Sequence, residues 1–176
     1  MSVLWIVLVL VALQRLGELV YAQRNTRRLL AEGGREAGAG HYPLLVGLHA
    51  AWLIALAVFV PAETPPNWAL LAVFVALQGL RLWVLASLGR YWTTRIITLP
   101  DAPLVRKGPY RLLRHPNYVV VAGEILILPL AFGAWELALA FSAANAVILA
   151  IRIRCEDQAL AARRTATVSA GPVRSP

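Results

Sequence analysis

Trp68-Ala-Leu-Leu-Ala-Val-Phe-Val-Ala-Leu-Gln-Gly-Leu-Arg-Leu-Trp-Val-Leu-Ala-Ser-Leu88 is a run of residues with a single charge, Arg81. At 1.5 Å per residue it makes a helix of about 31 Å, the thickness of a bilayer's hydrocarbon core. Similar runs cover residues 2–20, 44–61, 118–133 and 137–153. The fold class that follows is all-α: a polytopic membrane protein with about five transmembrane helices. The last two runs are short, about 24 Å each at helical rise. Pro129, Gly133 and Trp135 lie at or near their junction. Residues 118–153 therefore read as a helical hairpin, tilted or ending inside the protein. The first run is longer than a signal-peptide core and is followed by no small-residue cleavage site, so it reads as a retained helix. Composition agrees: 59% of the 176 residues are hydrophobic and 15% charged, against about 45–50% and about 25% in soluble domains.

The charge between the runs sets an orientation. Arg24, Arg27, Arg28 and Arg35 follow the first run; Arg90, Arg95, Arg106, Lys107, Arg111 and Arg114 follow the third; Arg154, Arg163, Arg164 and Arg174 follow the fifth. Segments 62–67 and 134–136 have no Lys or Arg and carry Glu63 and Glu136. With five spans every basic segment falls on one side, the cytoplasmic one by the positive-inside rule, and the N-terminus faces out. The net charge of +8 then points to anionic lipid headgroups rather than nucleic acid. Cys155 is the only cysteine, which excludes an intrachain disulfide and a zinc site built on several thiolates.

Residues 1–160 form one membrane-embedded domain on this reading: three N-terminal helices over 2–88, then a loop and hairpin over 89–160. Residues 161–176 have the composition of a flexible tail. The glycine-rich stretch 31–40 admits two readings, a mobile lid or a plain linker. It matches no dinucleotide fingerprint.

Residues 90–118 are the least lipid-like part of the chain, with six basic groups, three tyrosines, a tryptophan and a histidine. A headgroup-binding loop would account for the composition alone. The Gly108-Pro109 turn, however, predicts a short helix from Tyr110, with Pro116 ending it just beyond His115. That would gather Tyr110, Arg114, His115 and Tyr118 at the mouth of the fourth span. Arg152 and Glu156, spaced i, i+4, share one face at the end of the fifth. Since a hairpin returns that end to the start of the fourth span, His115 and Glu156 can meet. Such a crevice suits a polar, adenine-bearing cofactor with lipid beside it.

Gly108-Pro109-Tyr110-Arg111-x-x-Arg114-His115-Pro116-Asn117-Tyr118, followed by Arg152-x-x-x-Glu156-Asp157-x-x-Leu160, resembles the C-terminal half of the isoprenylcysteine carboxyl methyltransferase family. The resemblance covers about residues 90–160 and implies a membrane methyltransferase that uses S-adenosylmethionine, with no metal and no soluble Rossmann domain. Carried over, the implied cofactor contacts are Tyr110, His115, Pro116, Asn117, Tyr118 and Glu156, with Arg95, Ala102, Pro103, Leu104 and Val105 as looser matches. Arg152 falls where the family places a substrate-side arginine and is the implied catalytic residue. Where the family usually has a run of Glu, this chain has Glu156-Asp157. The front half, with His41-Tyr42-Pro43-Leu44 and His49, is similar to a bacterial branch that methylates long-chain alkylpyrones or alkylresorcinols.

The expected activity is therefore O-methyl transfer from S-adenosylmethionine to a lipophilic acceptor, either an alkylpyrone or alkylresorcinol hydroxyl or an isoprenylcysteine-type carboxylate. The expected location is a bacterial plasma membrane, the inner one in a Gram-negative cell, with the site facing the cytoplasm. Arg152 would hold or acidify the acceptor oxygen. Glu124, about two turns into the fourth span, should not face lipid; it either contacts the acceptor's head or pairs with Arg81 or Arg15. His41 and His49 flank the start of the second run without a third metal ligand. The rival readings are a small membrane reductase of sterol-reductase type and a non-enzymatic lipid-binding protein.

Overall fold

The computed structural model describes residues 2–99, 102 and 105–169. Five helices account for most of them: α1 Val3–Ala31, α2 Tyr42–Phe59, α3 Trp68–Leu88, α4 Pro116–Ala131 and α5 Trp135–Ser169. Two three-residue strands, β1 Arg35–Ala37 and β2 Ile96–Thr98, pair antiparallel with Glu36 opposite Ile97. The protein is an all-α polytopic membrane protein. Helices α1, α2, α3 and α5 are each long and apolar enough to cross a bilayer, whereas α4 is shorter, at 16 residues.

The reason α4 can be short lies in its surroundings. It packs between α3 and α5, and Val120, Val121, Glu124, Ile125 and Leu128 are all buried. The other helices turn large apolar side chains outward, among them Leu10, Ile54, Phe59, Val75, Leu139 and Val147. In water that surface would be a liability; in a bilayer it is the lipid contact. The core joins Leu4, Leu8 and Val11 of α1 to Trp52 and Leu56 of α2, Phe74 of α3, and Ile125 and Leu128 of α4.

Turn chemistry closes the bundle on the side away from the strands. Asn67 caps α3, its Oδ1 accepting from the backbone N–H groups of Ala69 and Leu70, as Asn does well at a helix start. Its own N–H donates to Ala131 O at 2.7 Å, which pins the end of α4 to the start of α3. Gly133, at φ 70°, makes the left-handed residue that reverses the chain into α5. The hairpin expected over 118–153 is therefore present, as α4 and α5.

Two helices outrun their apolar stretches. The first run ends near Val20, yet α1 continues to Ala31, because Ala, Gln, Arg and Leu favour helix as well as apolar residues do. Its buried positions Leu4, Leu8, Val11, Glu18, Ala22, Asn25 and Leu29 form one stripe along the whole helix. Asn25 Nδ2 donates to Trp92 O at 2.9 Å and to Gly89 O at 3.2 Å, tying α1 to the end of α3. Likewise α5 is helical through Ser169, so the stretch expected to be a flexible tail from Ala161 is regular at least that far. Residues 170–176 lie outside the described residues. The glycine-rich stretch 31–40 holds β1, which lies against β2 rather than running free.

Candidate functional site

The segment after α3 folds differently in detail from its expectation. Gly108–Arg111 form a single 3-10 turn, and α4 begins at Pro116 with His115 as the residue before it. Pro116 thus starts a helix, where its missing N–H costs nothing, instead of ending one. Gly108 has φ 57°, and a Cβ there would fall 2.1 Å from Ser87 Oγ. This close approach seats the turn on the end of α3 and buries Pro109.

His115, Tyr118 and Glu156 come together as a unit. The Tyr118 hydroxyl donates to Glu156 Oε2 at 2.6 Å. The His115 ring stacks on Tyr118, with centroids 5.4 Å apart and planes at 22°. His115 Nδ1 is 3.6 Å from Glu156 Oε2, and its Nε2 is 3.6 Å from Asp157 Oδ1. Glu156 beside the ring raises the His115 pKa above its ordinary value, with Asp157 adding to the effect and burial opposing it. Burial also raises the Tyr110 hydroxyl, with Glu156 contributing, so Tyr110 is a neutral hydroxyl near pH 7.

Arg152 does not form the i, i+4 ion pair that its spacing from Glu156 permits. Its Nη2 donates instead to Thr94 O at 2.9 Å. The side chain is buried, and Nε has no partner among the described residues. Residues 92–94, which make the strap carrying that carbonyl, connect the site to the bundle.

Above the strap lies the β1–β2 ribbon. Arg95 sits over the Tyr42 ring at 4.7 Å and donates to Glu36 at 3.0 Å, so its guanidinium is held by protein groups. Glu32 at the end of α1 pairs with Arg90. Together these contacts hold the ribbon across the ends of α1 and α2.

One cavity of about 500 Å³ connects these parts. Its lining includes the polar groups of Tyr110, His115, Asn117, Tyr118 and Glu156, then Arg152 with Thr94 and Trp92, the charged Arg15, Glu18 and Arg81 with His49, and the apolar Ala12, Leu16, Val46 and Leu53 of α1 and α2. Of the residues predicted from sequence, Arg95, Tyr110, His115, Asn117, Tyr118, Arg152 and Glu156 line it. Pro116 is buried beside it as the first residue of α4. Ala102 and Val105 are not on its lining, and Pro103 and Leu104 lie outside the described residues.

Glu124 is not on the lining either. It is 1% exposed and is shared by Arg15 Nη2 at 2.7 Å, Arg81 Nη1 at 3.2 Å and Gln78 Nε2 at 2.9 Å. Of its two expected roles, the structure forms the pairing, and with both arginines. Arg81 in turn holds Glu18 through two hydrogen bonds of 2.5 and 2.6 Å, and its guanidinium lies 5.9 Å from the Trp92 ring centroid. Two cations and two anions thus cancel inside the bundle, which is how charges persist at such depth.

Sequence reasoning missed Trp92, Thr94 and Tyr42 as parts of the site. Thr94 acts through its backbone carbonyl, which carries no sequence signal, and aromatic residues are common at any membrane interface. Among the described residues no group of three or more His, Cys, Asp or Glu could hold a metal ion.

Comparison with known proteins adds the chemistry. Residues 70–162 match the family model described as the isoprenylcysteine carboxyl methyltransferase (ICMT) family. The chain is 39% identical over 160 residues to a Bacillus subtilis (strain 168) protein named Uncharacterized protein YpbQ, covering 89% of this chain and 95% of that one. It is 27% identical over 142 residues to an uncharacterized Haemophilus influenzae protein, covering 78% and 83%. No solved structure matches it.

Proposed function

Because the chain belongs to the isoprenylcysteine carboxyl methyltransferase family and is a membrane methyltransferase of that kind, we propose that it transfers the methyl group of S-adenosylmethionine to an oxygen of a lipophilic acceptor. The observation that carries this reading is the continuity of the cavity, polar around Glu156 and Tyr118, cationic at Arg152, and apolar between α1 and α2. A polar donor at one end and a lipid tail at the other would meet beside Arg152.

The polar end fits the cofactor by its donors and acceptors. Asn117 Oδ1 and His115 Nε2 are enclosed without hydrogen-bond partners among the described residues, and Glu156 supplies a carboxylate. Ribose hydroxyls, an adenine edge and an amino-acid group would satisfy such atoms. The aromatic faces of Tyr110 and Tyr118 and the Glu156 charge suit a cation. When bound, the cofactor supplies a methyl group already activated by the sulfonium charge.

The protein's own work is then placement. Glu156, fixed by Tyr118 and His115, would anchor the cofactor, while Arg152, fixed by Thr94 O, would hold the acceptor oxygen as an anion or lower its pKa. Good alignment is worth up to about 7–11 kcal/mol of barrier. The β1–β2 ribbon and the extended end of α1 would keep water out. The acceptor is a long-chain hydroxyl compound of the alkylpyrone or alkylresorcinol kind, or an isoprenylcysteine-type carboxylate. With the basic segments on one side, the positive-inside rule would have the site at the cytoplasmic face of a bacterial plasma membrane; both relatives come from bacteria.

Calorimetry with S-adenosylhomocysteine and with NADPH tests the reading. Wild type should bind the first and not the second, and Glu156→Ala should weaken binding at least tenfold, the loss of one charged hydrogen bond. NADPH binding alone, or equal affinity of Glu156→Ala and wild type, would overturn it. Labelled S-adenosylmethionine with lipid extracts then identifies the product by its gain of one methyl.

A further inference from the structure

The carbonyl that aims Arg152 is itself held from a distance. Arg152 Nη2 donates to Thr94 O at 2.9 Å, and Thr94 lies on the strap between the end of α3 and β2. No backbone N–H among the described residues donates to the carbonyls of Trp92 or Thr94. A side chain meets each instead: Arg152 the second, and Asn25 of α1 the first, at 2.9 Å. The course of the strap after Trp92 therefore depends on Asn25.

Asn25 is buried and puts both hydrogens of one nitrogen to use. Its Nδ2 donates to Trp92 O and, at 3.2 Å, to Gly89 O. Gly89 ends α3 with φ 53° and opens a 3-10 turn, and the Trp92 N–H returns to the same Gly89 O at 3.0 Å. Asn25 thus clamps the carbonyls on either side of one turn. Packing alone does not do this. The Trp92 indole is fixed against Ala22 and Val84, but a fixed ring leaves the following peptide plane free to turn about ψ. Thr94 O is two peptides farther on, within about 7 Å along the chain, so a turn of that plane carries it along. The other tie on Thr94 is longer, its Oγ1 donating to the Tyr42 hydroxyl at 3.4 Å.

The residue type fits this task. Asparagine offers two donors without a charge, whereas ionised aspartate, of the same shape, only accepts and would face two carbonyls. Leucine fills the space and leaves both carbonyls bare. Helix propensity gives no reason for an asparagine at this point of α1.

We propose that Asn25 is a positioning residue for methyl transfer, clamping the turn at the end of α3 so that Thr94 O aims the Arg152 guanidinium at the acceptor oxygen. This rests on the reading above, in which Arg152 holds that oxygen. Asn25 is not on the cavity lining, and its effect passes through the strap.

The test joins a double-variant cycle to hydrogen exchange on the purified full chain in detergent micelles. Asn25→Leu should slow single-turnover methyl transfer from labelled S-adenosylmethionine into lipid extract about 10–10²-fold, the cost of a displaced group, with S-adenosylhomocysteine affinity within about twofold. Asn25→Asp should lose at least as much. In an Arg152→Ala background the Asn25→Leu change should cost under about twofold, because the group it aims is gone. Amide exchange over residues 90–95 should rise at least about tenfold in either Asn25 variant, with α4 unchanged. Melting temperatures within a few degrees of wild type certify the variants as folded, and either folded variant suffices. An undiminished rate in a folded Asn25 variant, losses that multiply in the double variant, a loss of cofactor affinity in place of rate, or unchanged exchange in the strap overturns the proposal. An inactive wild type that binds no S-adenosylhomocysteine removes the methyltransferase reading and this role with it; an active wild type indifferent to Asn25 removes this role alone.

Discussion

Glu124→Gln should be among the most damaging single-atom changes available to this protein. The carboxylate is 1% exposed and receives hydrogen bonds from Arg15, Arg81 and Gln78. Gln has nearly the same shape, so packing survives, but one of two negative charges vanishes while both guanidinium groups stay. The cluster goes from neutral to +1 where every charged side chain in it is at most 13% exposed. Breaking a buried pair in this way costs about 3–5 kcal/mol, most of it from the charge left uncompensated. Combining it with Arg15→Met restores neutrality, with the Arg81–Glu18 pair intact, so the double variant should recover at least about 1–2 kcal/mol relative to the sum of the single losses. Reversible unfolding by sodium dodecyl sulfate in mixed micelles, followed by helical circular dichroism, measures all four corners of the cycle. A Glu124→Gln loss under about 1 kcal/mol, or single losses that simply add in the double variant, would refute the idea that charge balance holds α1 against α3 and α4.

Arg152→Ala should lower kcat about 10²–10³-fold, the usual cost of one oxyanion donor, with S-adenosylhomocysteine affinity within about threefold; single-turnover assays beside calorimetry separate the two. The His115 pKa is raised by Glu156 in the fold, so the stability it contributes is fully present below its unfolded pKa of about 6.5 and is lost as pH rises through the higher folded value. Wild type should therefore lose more stability than His115→Gln between slightly acid and alkaline pH, as read from melting curves at each pH. Gly108→Ala should be costlier than Gly133→Ala: both add about 1 kcal/mol of left-handed strain, but only the first puts a Cβ against Ser87 Oγ. Denaturant unfolding should show the gap, and Ser87→Gly should narrow it.

The lipid-spanning runs and the hairpin of α4 and α5 were legible because apolar length is a one-dimensional property, set by bilayer thickness and helical rise. The meeting of His115 with Glu156 was legible for a related reason: a hairpin returns its ends to one another. The extents of α1 and α5 were not, because hydropathy marks where lipid stops and not where backbone hydrogen bonding stops. Glu124 was recognisable as a charge needing a partner, yet both candidate arginines turned out to share it. Arg152 and Glu156 stand on one helical face as their spacing requires, but a backbone carbonyl takes the guanidinium.

By itself the sequence determined an all-α membrane architecture, the order of the spans, and the segment that carries polar chemistry. Only the tertiary structure decided that β1 pairs with β2 across some sixty residues, that Thr94 fixes Arg152, and that Arg15 and His49 face one continuous cavity. Partners distant along the chain are chosen by which helix faces pack together, and that choice depends on the whole set of contacts at once. No window of residues contains it.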